Sequence, residues 1–277
     1  MHNEYTNIKA GGISNKNRVL LDTLNREVKN PFGIPDVSRI LEISLLKARR
    51  LTAYWAARGW LTRIKRGLFI TLPLGAINPA ERKEDPWIVA ATIFKPCYIG
   101  GWSACEHWGL TDQIFKDIVV FTSRKVRHKR NEIHGTVYIV RNIKKEKLFG
   151  VKPVWREQTK VNVSDFSKTL VDSLSEPYLG GGIRNVASII EEYFSGEERN
   201  EAKLLEHISK LGNGTVYKRL GYLLEYLKID APKIIKECRK KMTSGYSRLD
   251  PSLPTKKTIL RRWNLYVNAL IESKKND

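Results

Sequence analysis

Fourteen residues, Leu45 to Arg58, carry four basic side chains and no acidic one. Their apolar positions recur at helical spacing, with Ala48, Leu51 and Trp55 on one side and Lys47 and Tyr54 flanking them. Arg49, Arg50, Ala53 and Ala57 point the other way. Ser44 stands where an N-cap belongs, its hydroxyl placed to accept from unpaired amides of the first turn. Gly59 follows the last helical residue, where a left-handed cap costs least. A shorter helix, Pro35 to Leu41, precedes this one across the turn Glu42-Ile43-Ser44. After it, Trp60–Ile64 and Leu68–Thr71 flank the basic turn Lys65-Arg66-Gly67, the pattern of a β-hairpin. Helix, turn, helix and basic hairpin in that order predict a winged helix-turn-helix. The acid-free helix face, with small side chains at Ala53, Ala56 and Ala57, suits insertion into a major groove, where Arg pairs with guanine. A solvated cationic face on a plain three-helix unit is the blander alternative.

Charge extends the same inference to the whole chain. The 49 Lys and Arg against 29 Asp and Glu leave +20, which calls for a polyanionic partner. From Met1 to Asn78 the count is 13 basic to 5 acidic residues. Each phosphate neutralised releases counterions, so affinity should fall steeply with salt. A membrane partner is not expected, because no apolar run reaches 18 residues and no long cationic amphipathic stretch appears. The start of the chain lacks the apolar core of a signal peptide. Cys97, Cys105 and Cys238 show neither zinc spacing nor a disulfide framework. A reducing, cytoplasmic setting is the expectation.

Along the chain, a first helix is expected from about Asn15 to Asn30, stopped by Pro31. Residues 72–84, with Pro73, Gly75 and Pro79, read as a linker. Two domains follow, residues 1–78 and 79–277. The second should open with a buried helix from Pro86 to Phe94 and a short strand at Cys97–Ile99. Gly100-Gly101 then turns into a helix ending near Gly109. Strands are expected at Asp117–Thr122, at Thr136–Val140 and around Val154 to Val163. Helices should then cover Asp165–Leu174, Ile183–Phe194, Glu201–Leu211, Val216–Leu227 and Pro232–Lys241. The fold class is α+β, a mixed α/β domain with a helical C-terminal half behind the N-terminal unit.

Arg66-Gly67-Leu68-Phe69-Ile70 closes the N-terminal unit. Tyr98-Ile99-Gly100-Gly101-Trp102-Ser103-Ala104, Trp108-Gly109-Leu110-Thr111, a hydrophobic strand and an arginine-rich turn follow. In that order these motifs resemble the AbiEi family, antitoxins of type IV toxin–antitoxin and phage-defence operons, over roughly residues 18–196. The resemblance implies a transcriptional autorepressor that binds inverted repeats in its own promoter. It also implies a C-terminal domain that counters a cognate nucleotidyltransferase toxin without a stable complex. Carried onto this chain, base reading falls to Ser44, Lys47, Arg49 and Arg50, with Tyr54 at the margin. Arg63, Lys65 and Arg66 of the wing would hold phosphates or reach the minor groove. No catalytic residue, metal or cofactor is expected.

A second basic segment, Ser123 to Asn131, has six formally basic residues in nine. Arg124, Lys125, Arg127, Lys129 and Arg130 could follow the phosphate backbone beside a half-site, or could form a solvated hairpin tip. The alternative function is a nucleic-acid enzyme, a nuclease or nucleotidyltransferase targeted by the winged helix. Its motifs are incomplete. Gly100-Gly101-Trp102-Ser103 has the look of a phosphate cradle, but no Asp-x-Asp pair lies on the following strand to hold magnesium. Glu157-Gln158-Thr159-Lys160 misses a nuclease spacing by one residue. Cys105 and His107, two apart on a helix, point nearly opposite ways.

Overall fold

The computed structural model describes residues 13–28, 31–71, 84–254 and 258–271. The expected linker lies mostly outside the described residues. The chain is a mixed α+β protein with ten α-helices among the described residues.

The N-terminal elements are α1 (Asn15–Glu27), β1 (Phe32–Gly33), α2 (Ile34–Ile40), α3 (Leu45–Ala57), β2 (Leu61–Lys65) and β3 (Leu68–Thr71). Helix α1 ends at Glu27 rather than Asn30, because Val28 is already extended at ψ 134°. Leu21 and Leu24 of α1, Val37 of α2, and Ala48 and Trp55 of α3 share one core with Trp60, Leu61 and Phe69. Strand β1 pairs with β3, Phe32 opposite Phe69, and so adds a third strand that the hydrophobic pattern did not announce. Two residues are too few for periodicity to register.

The second unit begins with α4 (Pro86–Ile93), capped by Asp85, whose carboxylate accepts from Trp87 N at 2.7 Å. β4 (Cys97–Ile99), α5 (Gly101–His107), β5 (Ile118–Thr122), β6 (Arg130–Ile133), β7 (Thr136–Asn142), β8 (Val151–Arg156) and β9 (Thr159–Ser164) follow. The strands form one sheet in the order β6-β7-β5-β4-β9-β8. Strands β5 and β7 are parallel, as are β4 and β9, and the remaining neighbours are antiparallel. Alternation assigns the faces. Ile99, Val120, Tyr138, Val140, Val161 and Val163 pack with α4, whereas Tyr98, Val119 and Phe121 pack with Trp102 and Leu179.

The Gly100-Gly101 turn is a packing device. A Cβ on Gly100 would lie 2.7 Å from the Phe121 ring, and Gly101, at φ +55°, leaves no room beside the Leu179 carbonyl. Ser103 accepts from Val119 N at 3.0 Å, so its hydroxyl is committed to the sheet.

After Ser164 the chain is helical: α6 (Phe166–Ser175), α7 (Ile183–Ser195), α8 (Glu201–Leu211), α9 (Gly214–Tyr226) and α10 (Pro232–Lys241). A small sheet, β10 (Ser247–Arg248), β11 (Ile259–Leu260) and β12 (Leu265–Tyr266), closes it. Trp263 lies against bare backbone at Gly221, whose Cβ would overlap the indole. Gly221→Ala should therefore cost about 1–3 kcal/mol by overpacking, read as a lower urea midpoint at unchanged slope.

Three buried polar sets brace these helices. Lys168 and Asp172 of α6 pair with each other and with the Tyr98 hydroxyl. Arg219 donates to the Leu174, Ser175 and Arg248 carbonyls. Asp165 caps α6 through Lys168 N and meets His207 at 3.2 Å and Lys203 at 2.9 Å. Burial raises the Asp165 pKa, but the bonds from His207, the Lys168 amide and Lys203 outweigh it and bring the carboxyl to about 2. Its contribution is therefore complete above the ordinary value of 3.8 and is lost as pH falls through about 2. Asp165→Asn should be less stable than the parent at pH 6 by about 2 kcal/mol. That gap should close on acidification toward pH 2, which chemical unfolding at stepped pH would follow.

Candidate nucleic-acid interface

The roll of α3 is set by what it buries. Ala48, Thr52 and Trp55 are fully covered, and the Trp55 indole donates to Asn17 Oδ1 on α1 at 3.0 Å. Thr52 takes the inward place expected for Leu51, which is half-buried. Its hydroxyl donates to the Ala48 carbonyl at 2.9 Å, so the polar group is satisfied inside. Ser44 caps the helix as expected, accepting from Lys47 N at 3.3 Å. Gly59 adopts φ +73° just beyond its end. The turn before it is fastened by Ser38, whose hydroxyl donates to the Ile43 carbonyl at 2.6 Å.

This anchoring turns Ser44, Lys47, Arg49, Arg50, Tyr54 and Arg58 outward, all of them exposed. Tyr54 is held from two sides. Its ring meets Trp60 edge-on at 5.7 Å, and the Arg58 guanidinium lies 5.4 Å from its centroid. On the hairpin, Arg63, Lys65 and Arg66 are exposed, and Gly67 at φ +78° closes the turn. Among the described residues, none of Lys47, Arg49, Arg50, Arg63, Lys65 and Arg66 forms an ion pair. Asp22 and Asp36 of the same unit are paired with Arg26 and Arg39 instead. Among the described residues, the α3 and hairpin cations thus stand uncompensated.

Sequence reasoning missed Leu45 and Leu46, exposed at 58% and 59% on the first turn of α3. The available signal was their position off the Ala48–Thr52–Trp55 stripe.

The second basic segment divides into two groups. Arg124 is structural: its Nη1 donates to the Ile93 carbonyl at 2.9 Å, at the end of α4. Arg130 pairs with Asp117 at 2.8 Å. Lys125, Arg127 and Lys129 are exposed and make no ion pair among the described residues. Nor is the segment a hairpin tip. Arg130 already opens the edge strand β6, and the tight turn falls at His134-Gly135, both at positive φ. A charged edge strand carries no apolar alternation, so the pattern concealed it.

The two basic regions meet. Ile64 and Leu68 of the hairpin pack against the core beneath the sheet, as do Val126 and Ile133. Between them lies a groove of about 550 Å³ lined by Lys65, Lys125, Arg127, His128 and Arg130, among others. Lys65 of the hairpin and Lys125 and Arg127 of the loop therefore border one surface.

Among the described residues no three His, Cys, Asp or Glu side chains gather as metal ligands would. Burial pushes the Cys105 thiol up to about 12, and the same holds for Cys238. Burial, helped by Arg156, lowers the His107 pKa. Its ring lies edge-on against Trp87 and Trp108. No helix among the described residues is long and apolar enough to cross a membrane. A scan of family models finds no match to the chain, and a search of curated proteins finds none either.

Proposed function

We propose that residues 13–71 form a winged helix-turn-helix that reads double-stranded DNA, with α3 in the major groove and the β2–β3 hairpin as the wing. The observation that carries this reading is the exposed, uncompensated set Lys47, Arg49, Arg50, Arg63, Lys65 and Arg66 on one helix and its adjoining hairpin. The three-stranded arrangement β1-β3-β2 beside three helices supports it. Arg49 and Arg50 face outward and suit bidentate contacts to guanine, while Leu45 and Leu46 suit thymine methyl groups. Lys65 and Arg66 of the hairpin, and Lys125, Arg127 and Lys129 of the loop, suit phosphates.

On the family resemblance, we further propose an AbiEi-type antitoxin and autorepressor. Its operator is then a pair of inverted half-sites in its own promoter. The second unit counters a nucleotidyltransferase toxin without holding it in a stable complex. The protein acts in the cytoplasm, with no enzymatic activity of its own.

Footprinting of the DNA upstream of the coding sequence should show two protected half-sites, with affinity falling steeply as salt rises. Arg50→Ala should cost about 1–3 kcal/mol on that site and far less on random DNA. Lys65→Ala should weaken both DNAs alike and lower the salt slope by about one. Equal losses for both variants on both DNAs would falsify the assignment. Incubating the chain with DNA and RNA, with and without EDTA, addresses the enzymatic alternative. Metal-dependent cleavage or nucleotide transfer would replace the repressor reading.

A further inference from the structure

The second unit carries an open cleft of about 580 Å³ that shares no lining residue with the cationic groove. Its wall is aromatic. Trp102 and Phe115 stack at 5.1 Å with planes 16° apart, and Tyr178 stands edge-on to Trp102 at 6.0 Å. The Trp102 indole is fixed, Nε1 donating to the Asp117 carbonyl at 2.6 Å. Tyr178 is 58% exposed, and its hydroxyl has no hydrogen-bond partner among the described residues. Backbone is bare at the floor. Gly181 and Gly182 sit at φ +85° and +91°, and a Cβ on Gly181 would come 2.9 Å from the Phe115 ring.

Two cations, Lys116 and Arg184, and two carboxylates, Asp117 and Asp250, border the cleft. Both carboxylates are committed. Asp117 pairs with Arg130, and Asp250 accepts from Ile183 N, Ser252 N and the Ser252 hydroxyl. Asp250 already occupies the first amide of α7, so a negative charge stands where an anion would approach that terminus. The cations are available instead. Among the described residues, exposed Lys116 has no partner, and Arg184 engages only Nε, on the Leu270 carbonyl at 2.9 Å. A ligand for this place combines a flat aromatic body with negative charge. The volume lies within the range of small-molecule sites.

We propose that this cleft binds a nucleotide, its base stacked on Tyr178 and on Phe115, which the buried Trp102 backs, and its phosphate held by Lys116 and Arg184. Stacking of this kind tolerates every base, because each has a π-face. The nucleotide is either free or the end of a single strand. The proposal does not depend on the DNA-reading role of α3.

The test titrates the full chain with AMP, CMP, GMP and UMP by calorimetry, and with a fluorescein-labelled six-nucleotide RNA by anisotropy. At least one probe should bind saturably. Tyr178→Ala should weaken that binding about tenfold, within the range found for removing one stacking partner. Tyr178→Phe should retain it. Lys116→Ala with Arg184→Ala should weaken it at least as much as Tyr178→Ala. All of these positions are exposed, so thermal melting and duplex DNA binding should stay at parental values. Tighter binding of the hexanucleotide identifies a strand end, and equal or tighter binding of a mononucleotide identifies the free form. Absence of saturable binding by every probe overturns the proposal, as does binding indifferent to Tyr178→Ala and to the double variant.

Discussion

Asp172→Ala is expected to remove about 3–5 kcal/mol of stability, a large fraction of the roughly 5–15 kcal/mol typical of a folded domain. Lys168 and Asp172 lie one turn apart on α6, with side chains 1% and 4% exposed. The ammonium also donates to the Tyr98 hydroxyl at 3.0 Å, and that hydroxyl donates to Asp172 Oδ2 at 2.9 Å. Burial, and then the Asp172 charge, holds the Tyr98 pKa well above its ordinary value, so the phenol remains a donor. Removing the carboxylate leaves a buried cation with only a phenol oxygen and the rings of Tyr98 and Phe149, 5.2 and 5.0 Å from its Nζ. The pair itself contributes far less than its disruption costs, because both charges were desolvated to form it. The double variant Lys168→Met with Asp172→Leu should accordingly recover most of the loss. Urea unfolding followed by far-UV circular dichroism measures both. A loss below about 1 kcal/mol for Asp172→Ala would mean that water reaches Lys168 and that the site is not closed.

That network also marks a limit on what could be read from the chain alone. Lys168 and Asp172 at i and i+4 have the spacing of a solvent-facing helix pair, and nothing local distinguishes a covered one. Their burial depends on Tyr98, 70 residues away in sequence. Features decided by neighbours in the chain were legible. Ser44 as a cap, Gly59 as a terminator, Pro86 at a helix start and the β-branched and aromatic run Ile118–Thr122 all act within a few residues. Leu51 and Thr52 show the intermediate case, where spacing located the buried face but a satisfied hydroxyl shifted its centre by one residue. The basic segment 124–130 shows the same limit at the candidate site. Composition identified its charge, yet the commitment of Arg124 and Arg130 depends on Ile93 and Asp117, 31 and 13 residues distant. The aromatic cleft was illegible for the same reason, since Trp102, Phe115 and Tyr178 converge only through the fold.

On the proposed DNA-reading role, reversing two charges on α3, Arg49→Glu with Arg50→Glu, should lower operator affinity by about a thousandfold. Two bidentate base contacts would contribute about 1–3 kcal/mol each, and a total near 4 kcal/mol corresponds to that factor. Both side chains are exposed, and the inward contacts of Ala48, Thr52 and Trp55 hold the roll of the helix without them. Melting should therefore stay close to the parental value, which separates lost binding from lost folding. Lys125→Glu with Lys129→Glu makes the same change in net charge on the neighbouring loop. If that loop touches only the phosphates at the edge of the site, screening over a Debye length of about 10 Å limits its effect to about tenfold. The ratio between the two double variants, measured by titration on the footprinted duplex at one salt concentration, is the informative quantity. Parity would mean that net charge alone drives binding, and a larger loss from the loop pair would move the reading surface from α3 to residues 125–129.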